Sequence, residues 1–135
     1  KAAQEGSIHW INNETHPANL YPQIDILVFP SWFEGCPMVI LEAMSHGVAT
    51  VSSNIPGVRE ILEDGKDGVL VDSWEACDYA AAVARLITAG QTRESLSKHA
   101  KDKWVSQFSA DLMARRYLRL ASDILYEESK KKSEI

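Results

Sequence analysis

Val28-Phe29-Pro30-Ser31-Trp32-Phe33-Glu34-Gly35-Cys36-Pro37-Met38-Val39-Ile40-Leu41-Glu42-Ala43-Met44 is the stretch that decides how this chain folds. It opens on the end of an apolar run, Ile24 to Phe29, which Pro30 closes; such a run suits a central parallel strand covered on both faces. Pro37 to His46 is compatible with a helix, with Pro at its first position and Gly47 just past its end. A strand, a loop and a helix in that order form the unit that places ligands at the carboxyl end of a parallel sheet. The expected N-cap is Cys36, a poor capping residue beside Ser, Thr, Asp or Asn. The N–H groups of Met38 and Val39 then lack a side-chain partner, and an anion such as a diphosphate would cap them.

Two carboxylates flank that helix start. Glu34 lies in the loop before it, and Glu42 lies inside it among Ile40, Leu41, Ala43 and Met44. A carboxylate in such apolar company calls for a hydrogen-bond donor, and a sugar or ribose diol offers two adjacent ones. As a bare pair they carry little weight. With 19 acidic residues in 135, two at this separation arise readily by chance. The plain alternative is a solvated helix face with Glu42 beside Ser45 and His46.

Outward from this stretch, strands and helices alternate. Ile8 to Ile11 reads as a short strand, and Pro17 to Tyr21 as a brief helix before Pro22. Val48 to Ser52 is a further strand, Val58 to Leu62 a helical turn, and Val69 to Val71 the last strand, after the turns Asp64-Gly65 and Asp67-Gly68. Asp72 and Glu75 stand as in a capping box and open a long helix whose inner face is Ala76, Tyr79, Val83, Leu86 and Ile87, with Gly90 as its stop. Thr92 and Ser109 are candidate caps of two further helices. Leu96, Ala100, Trp104 and Phe108 line one face of the first; Met113, Tyr117, Leu120 and Ile124 line one face of the second. The pattern is an α/β fold with a mainly parallel sheet and C-terminal helices, in one domain without a linker.

Bulk properties exclude more than they assign. The chain has 135 residues, 45% hydrophobic and 24% charged, enough for one domain with a core. A net charge of -5 gives no support for a nucleic-acid partner. Arg115, Arg116, Arg119 and Lys130 to Lys132 read as a solvated helix face and tail; weak attraction to anionic headgroups is the sharper alternative. Cys36 and Cys77 form no metal-ligand pattern and suit a reducing compartment. No apolar run approaches membrane-spanning length and no signal peptide is visible, but the chain opens on Lys1 rather than Met, so this says little about targeting. His9, His16, His46 and His99 are scattered, and Trp10, Trp74 and Trp104 are expected in the core.

The full string resembles the Glu-x7-Glu signature of retaining glycosyltransferases of the GT-B fold, family 4, the glycosyl transferases group 1. Pro30-Ser31, Glu34-Gly35-x-Pro37 and Glu42-Ala43-Met44-x-x-Gly47 carry the resemblance. Ser52 to Ile61 is similar to the family's next loop and helix, and Asp64-Gly65-x-x-Gly68-Val69-Leu70-Val71 to its last sheet strand. The resemblance runs from about Ile24 to Asp72 and departs from the family mildly, with Cys36 in place of a common aromatic and Ala49 in place of Pro.

It implies that residues 1–135 are the C-terminal part of a nucleotide-sugar-binding domain, a Rossmann-like doubly wound sheet that is incomplete. The parent would be a hexosyltransferase-type enzyme moving a sugar from a UDP- or GDP-linked donor to an acceptor with retention of configuration, without metal or other cofactor. Glu34 would contact donor-sugar hydroxyls and Glu42 the ribose. Gly35, Cys36, Pro37, Met38 and Val39 would form the donor site, with the N–H groups of Gly35, Cys36, Met38 and Val39 facing sugar and diphosphate. A base contact near Ile11-Asn12 is a weaker expectation. The acceptor, whether polysaccharide, lipid-linked glycan or small molecule, stays open; the expected location is cytoplasmic, with the inner face of a membrane as an option. The alternative is a non-catalytic binding or scaffolding module of the same descent. In the fold's strand order 3-2-1-4-5-6, Ile8–Ile11 is strand three and Ile24–Phe29 strand four. The missing strands leave the edge of strand four open, so the expected sheet is narrow, with the first strand moved beside strand four or paired with another copy, and the isolated piece inactive.

Overall fold

Three short strands lie parallel and side by side in the computed structural model, which describes residue 11 and residues 17–133. They are β1 (Ile26–Phe29), β2 (Ala49–Ser53) and β3 (Val69–Val71), in the order β1-β2-β3. β2 pairs with β1 from Ile26↔Ala49 to Phe29↔Ser52, and with β3 from Val51↔Val69 to Ser53↔Val71. This adjacency is that of strands four, five and six in the expected sheet. The strand expected over Ile8–Ile11, and with it the rearrangement or self-pairing, falls outside the described residues except for Ile11, which is exposed and in no regular element.

Among the described residues β1, the most apolar run, starts at Ile26 rather than Ile24 and lies at one edge of the sheet, the edge that the missing strands are expected to leave open, with Val28 41% exposed. The centre is β2, buried at all of its positions although Thr50, Ser52 and Ser53 are polar. Hydrogen bonds make that burial tolerable. Ser52 Oγ donates to the Phe29 carbonyl at 3.0 Å, and Ser53 Oγ shares a hydrogen bond of 2.8 Å with the Tyr79 hydroxyl.

Helices cover both faces, the doubly wound arrangement. They are α1 (Met38–His46), α2 (Pro56–Arg59), α3 (Ala76–Thr88), α4 (Gly90–Lys103) and α5 (Ala110–Ser133). Val51 and Val69 pack with Tyr79, Ala82 and Leu86 of α3. On the other side Ile40, Leu41 and Met44 of α1 and Val58 of α2 pack with Ala100 of α4, and Phe29 and Leu70 join them. Two short 3₁₀ turns, Pro17–Asn19 and Tyr21–Gln23, replace the single brief helix expected before Pro22.

Helix ends depart from the sequence reading where a tertiary contact outbids a local signal. α1 ends as expected: Gly47 takes φ 71°, its N–H bonds to the Met44 carbonyl, and the Val48 N–H reaches Ala43 at 2.9 Å. That paired closure needs a left-handed residue, which glycine supplies without strain. α2 starts at Pro56, two residues before the expected Val58. The capping box at α3 does not form, because Asp72 instead accepts from the Asn54 side chain at 2.6 Å. Ala76 and Ile87 are accordingly exposed, and Ala82 takes their place in the core. Gly90 starts α4 rather than stopping α3, and Ala89, not Thr92, precedes it. Arg93 then reaches back to the Leu86 carbonyl at 3.1 Å, supplying a donor to the last turn of α3.

α4 runs through a π-helical turn, Trp104–Phe108, whose Trp104 and Phe108 pack on the core as expected. α5 follows Ser109, but its expected inner face is exposed: Met113 56%, Tyr117 68%, Leu120 57% and Ile124 53%. The spacing is amphipathic, yet among the described residues α5 packs mainly on the Trp104–Phe108 turn.

One buried ion pair ties the turn before β3 to the end of α4. Asp67, 2% exposed, takes the Glu63 N–H on one oxygen at 2.6 Å and Lys103 Nζ on the other at 2.8 Å. Lys103 retains some solvent contact, so the pair lies between the surface and buried limits. Lys103→Met is expected to cost about 1–3 kcal/mol in urea denaturation, and Asp67→Ala more, because the Glu63 N–H also loses its acceptor. Unchanged stability for Lys103→Met would show the pair to be idle.

Candidate functional site

The loop after β1 delivers the chain to α1 at the carboxyl end of the sheet. Pro37, not Cys36, is the N-cap, with ψ 102° marking the last extended residue, and the helix starts at Met38. Ile40 and Leu41 donate to the Pro37 carbonyl at 3.1 and 3.4 Å, and no side chain caps the turn. The shift of one residue leaves the physical conclusion intact. Met38 and Val39, both exposed, present the unpaired N–H groups, where the helix dipole concentrates about half a positive charge. Cys36 is exposed in the loop with a free thiol, and Pro37 is buried beneath it.

Glu42 sits one turn further along, half-buried. The Tyr21 hydroxyl donates to its Oε2 at 2.7 Å, which leaves Oε1 to take another donor. Tyr21 is 5% exposed, and its ring stacks on His46 with centroids 5.2 Å apart. Burial, then the hydrogen bond and charge of Glu42, push the Tyr21 phenol up to about 12. It therefore stays a neutral donor throughout the physiological range. Ser45 and His46, the neighbours of Glu42 in sequence, engage its backbone and not its carboxylate: Ser45 Oγ and His46 Nδ1 lie 2.7 and 2.9 Å from the Glu42 carbonyl.

Glu34 is also half-buried and held, with Ser31 Oγ donating to its Oε1 at 2.8 Å. Its backbone rests on α2. A Cβ at Gly57 would collide with the Glu34 carbonyl and come within 2.7 Å of the Gly35 carbonyl oxygen. Only glycine allows that approach. Tyr21 and Gly57 are the two residues that sequence reasoning missed. Tyr21 lies 21 positions from Glu42 in a proline-flanked turn without periodicity, and Gly57 reads as an ordinary Pro-Gly turn.

A cavity of about 400 Å³ adjoins the helix start, with Cys36, Met38 and Glu42 on one wall and Trp104, Phe108 and Met113 on the other. Its lining is almost wholly apolar. Among the described residues no three His, Cys, Asp or Glu side chains gather as a metal site, and no helix is long and apolar enough to cross a membrane.

The family model of the glycosyl transferases group 1 matches residues 1–103. An N,N'-diacetylbacillosaminyl-diphospho-undecaprenol alpha-1,3-N-acetylgalactosaminyltransferase of Campylobacter jejuni is 29% identical over 120 residues, 89% of this chain and 32% of that protein. A D-inositol 3-phosphate glycosyltransferase of Paenarthrobacter aurescens is 35% identical over 81 residues, 60% of this chain and 20% of that protein. The chain thus spans a third or less of the length of these relatives. Among solved structures, Anabaena HepE in complex with UDP-glucose superposes with a TM-score of 0.73 at 23% identity, covering 77% of this chain and 29% of that one. Sucrose-phosphate synthase from Thermosynechococcus elongatus does so with a TM-score of 0.77 at 22% identity, over 83% and 28%. These likenesses establish the Rossmann-like GT-B sheet with flanking helices.

Two outcomes follow from this geometry. Folding favours the protonated phenol of Tyr21, so its contribution to stability is whole below pH 10 and is lost as pH climbs toward about 12. Alkaline titration at 295 nm should show a late phase that Tyr21→Phe removes; an unchanged late part of the curve in Tyr21→Phe would contradict it. Gly57→Ala should move the Glu34-Gly35 backbone at a cost of about 1–3 kcal/mol. Amide shifts confined to α2 would refute the wedge.

Proposed function

The chain belongs to the glycosyl transferases group 1 family, and from that premise we propose that it forms the donor-binding side of a family-4 retaining glycosyltransferase. The donor is a nucleotide diphosphate-sugar, UDP- or GDP-linked, bound at the start of α1 without a metal. The observation that carries this reading is Glu42 itself: a half-buried carboxylate fixed by Tyr21 one turn beyond open helix N–H groups. The family match and a neighbour solved with UDP-glucose support it.

Each group then has a task set by its chemistry. Oε1 of Glu42 takes a ribose hydroxyl while Tyr21 holds the other oxygen. The N–H groups of Met38 and Val39, with those of Gly35 and Cys36, receive diphosphate and sugar oxygens. Glu34, oriented by Ser31, takes hydroxyls of the donor sugar. As the bond from anomeric carbon to diphosphate oxygen breaks, negative charge builds on the leaving group, and fixed N–H dipoles stabilise it there without reorganising. The acceptor hydroxyl bonds to the same face of that carbon, and its proton passes to the departing phosphate oxygen. Cys36 plays no nucleophilic part in this scheme. The acceptor binds beyond the residues of this donor site, and the reaction is assigned to the cytoplasm at the inner face of a membrane; a relative named for a diphospho-undecaprenol substrate supports a membrane-borne acceptor.

Titration calorimetry with UDP and with GDP tests the donor reading. Glu42→Ala should lose about 1.5–3 kcal/mol of nucleotide affinity, roughly 10- to 100-fold. Glu34→Ala should leave UDP affinity nearly unchanged and weaken the added affinity for UDP-sugar. Unchanged nucleotide affinity in Glu42→Ala would remove the ribose role.

A further inference from the structure

Trp74, expected in the core, instead meets Trp32 at the rim of this site. Trp32 follows β1 and Trp74 follows β3, and their indoles stack with centroids 4.5 Å apart and planes 6° from parallel. Neither is a core residue. Trp32 is 75% exposed, Trp74 is 47% exposed, and neighbouring Phe33 is 88% exposed. Both loops leave the carboxyl ends of their strands, the edge where Glu34 also stands. The loop of Trp74 is itself anchored: Asp72 accepts from Asn54, whose carbonyl and side-chain oxygens in turn accept from Arg59 at 3.1 and 3.2 Å.

We propose that the Trp32–Trp74 stack is a binding platform for a pyranose ring of the acceptor saccharide. Large aromatic faces are costly to leave in water, and this pair leaves an indole face open after making its own contact. A pyranose ring has one side lined by polarised C–H bonds and an equator of hydroxyls. The C–H side fits an electron-rich indole face, and the hydroxyls meet the polar residues beside it, Ser31, Asp72 and Ser73. Stacking of one indole on the other fixes the platform before any ligand arrives, so little side-chain freedom is lost on binding. The residues flanking the two tryptophans in sequence, Ser31, Asp72, Ser73 and Glu75, are of types depleted at protein–protein interfaces or suited to sugar hydroxyls. Donor hydroxyls are already matched to Glu34, so the ring on the platform belongs to the other substrate. This inference rests on the donor reading above and deepens it.

The test uses the chain saturated with UDP, titrated with maltotriose, cellotriose and chitotriose at millimolar concentration, and read on the indole N–H resonances. At least one saccharide should shift the Trp32 and Trp74 signals while Trp104 stays still. Trp32→Ala and Trp74→Ala should each weaken that saccharide at least 10-fold and leave UDP affinity within twofold, with Trp32→Phe recovering part of the loss. Circular dichroism checks that the exposed substitutions keep the fold. No saccharide shift at the two indoles, unchanged saccharide affinity in both alanine variants, or an equal loss of UDP affinity would each overturn the platform. A failure of the donor reading is separate, because it would show in the Glu42→Ala nucleotide titration, which neither tryptophan enters.

Discussion

An uncapped helix start is the constraint around which this chain is arranged. The first turn of α1 leaves N–H groups without partners at Met38 and Val39, and no side chain closes them. Water satisfies such groups adequately, but a fixed anion does so better because the helix dipole adds to the hydrogen bonds. Everything around the turn keeps it open and in place. Pro37 sets an extended entry, Gly47 closes the far end of the helix, and Ile40, Leu41 and Met44 bind its inner face to the core. The carboxylates come before and after the opening in the chain, each with one oxygen already engaged, by Ser31 at Glu34 and by Tyr21 at Glu42.

The sheet explains why the turn sits where it does. Parallel strands bring all their carboxyl ends to one edge, so the loops carrying Glu34, Asn54 and Asp72 converge there even though β1, β2 and β3 are far apart in sequence. The convergence is braced by the Asn54–Asp72 contact and by the close approach of Gly57 to the Glu34 loop. Polar residues in buried β2 fit the same logic. Ser52 bonds across to β1 and Ser53 to α3, so the central strand holds its neighbours by hydrogen bonds as well as by packing.

Much of this is legible in the residue order. The strand–loop–helix unit, the open N–H groups at Met38 and Val39, the parallel sheet and the α4 face built on Leu96 and Ala100 follow from runs, turn residues and helical spacing, and the order of the strands from the family resemblance. What escapes is decided by partners distant in the chain. Asp72 looks like a cap until Asn54 claims it, and Gly90 looks like a stop although Arg93 closes α3 instead. Polar Thr50, Ser52 and Ser53 hide how deeply β2 is buried, because burial depends on its neighbours β1 and β3 and not on its own composition. Spacing makes α5 amphipathic and says nothing about what meets its apolar face. Trp74 reads as core because tryptophan usually is, whereas here its partner is another exposed tryptophan. Of the site itself, the two glutamates are visible in sequence, but Tyr21 and Gly57, which hold one in direction and the other in position, are not.

A crystal structure of the chain with UDP measures the central claim directly. The account predicts the diphosphate within hydrogen-bond reach, about 2.7–3.2 Å, of the Met38 or Val39 N–H, with a ribose hydroxyl on Glu42 Oε1 and Tyr21 still on Oε2. Diphosphate bound at any other part of the chain, with the first turn of α1 left to water, would contradict it.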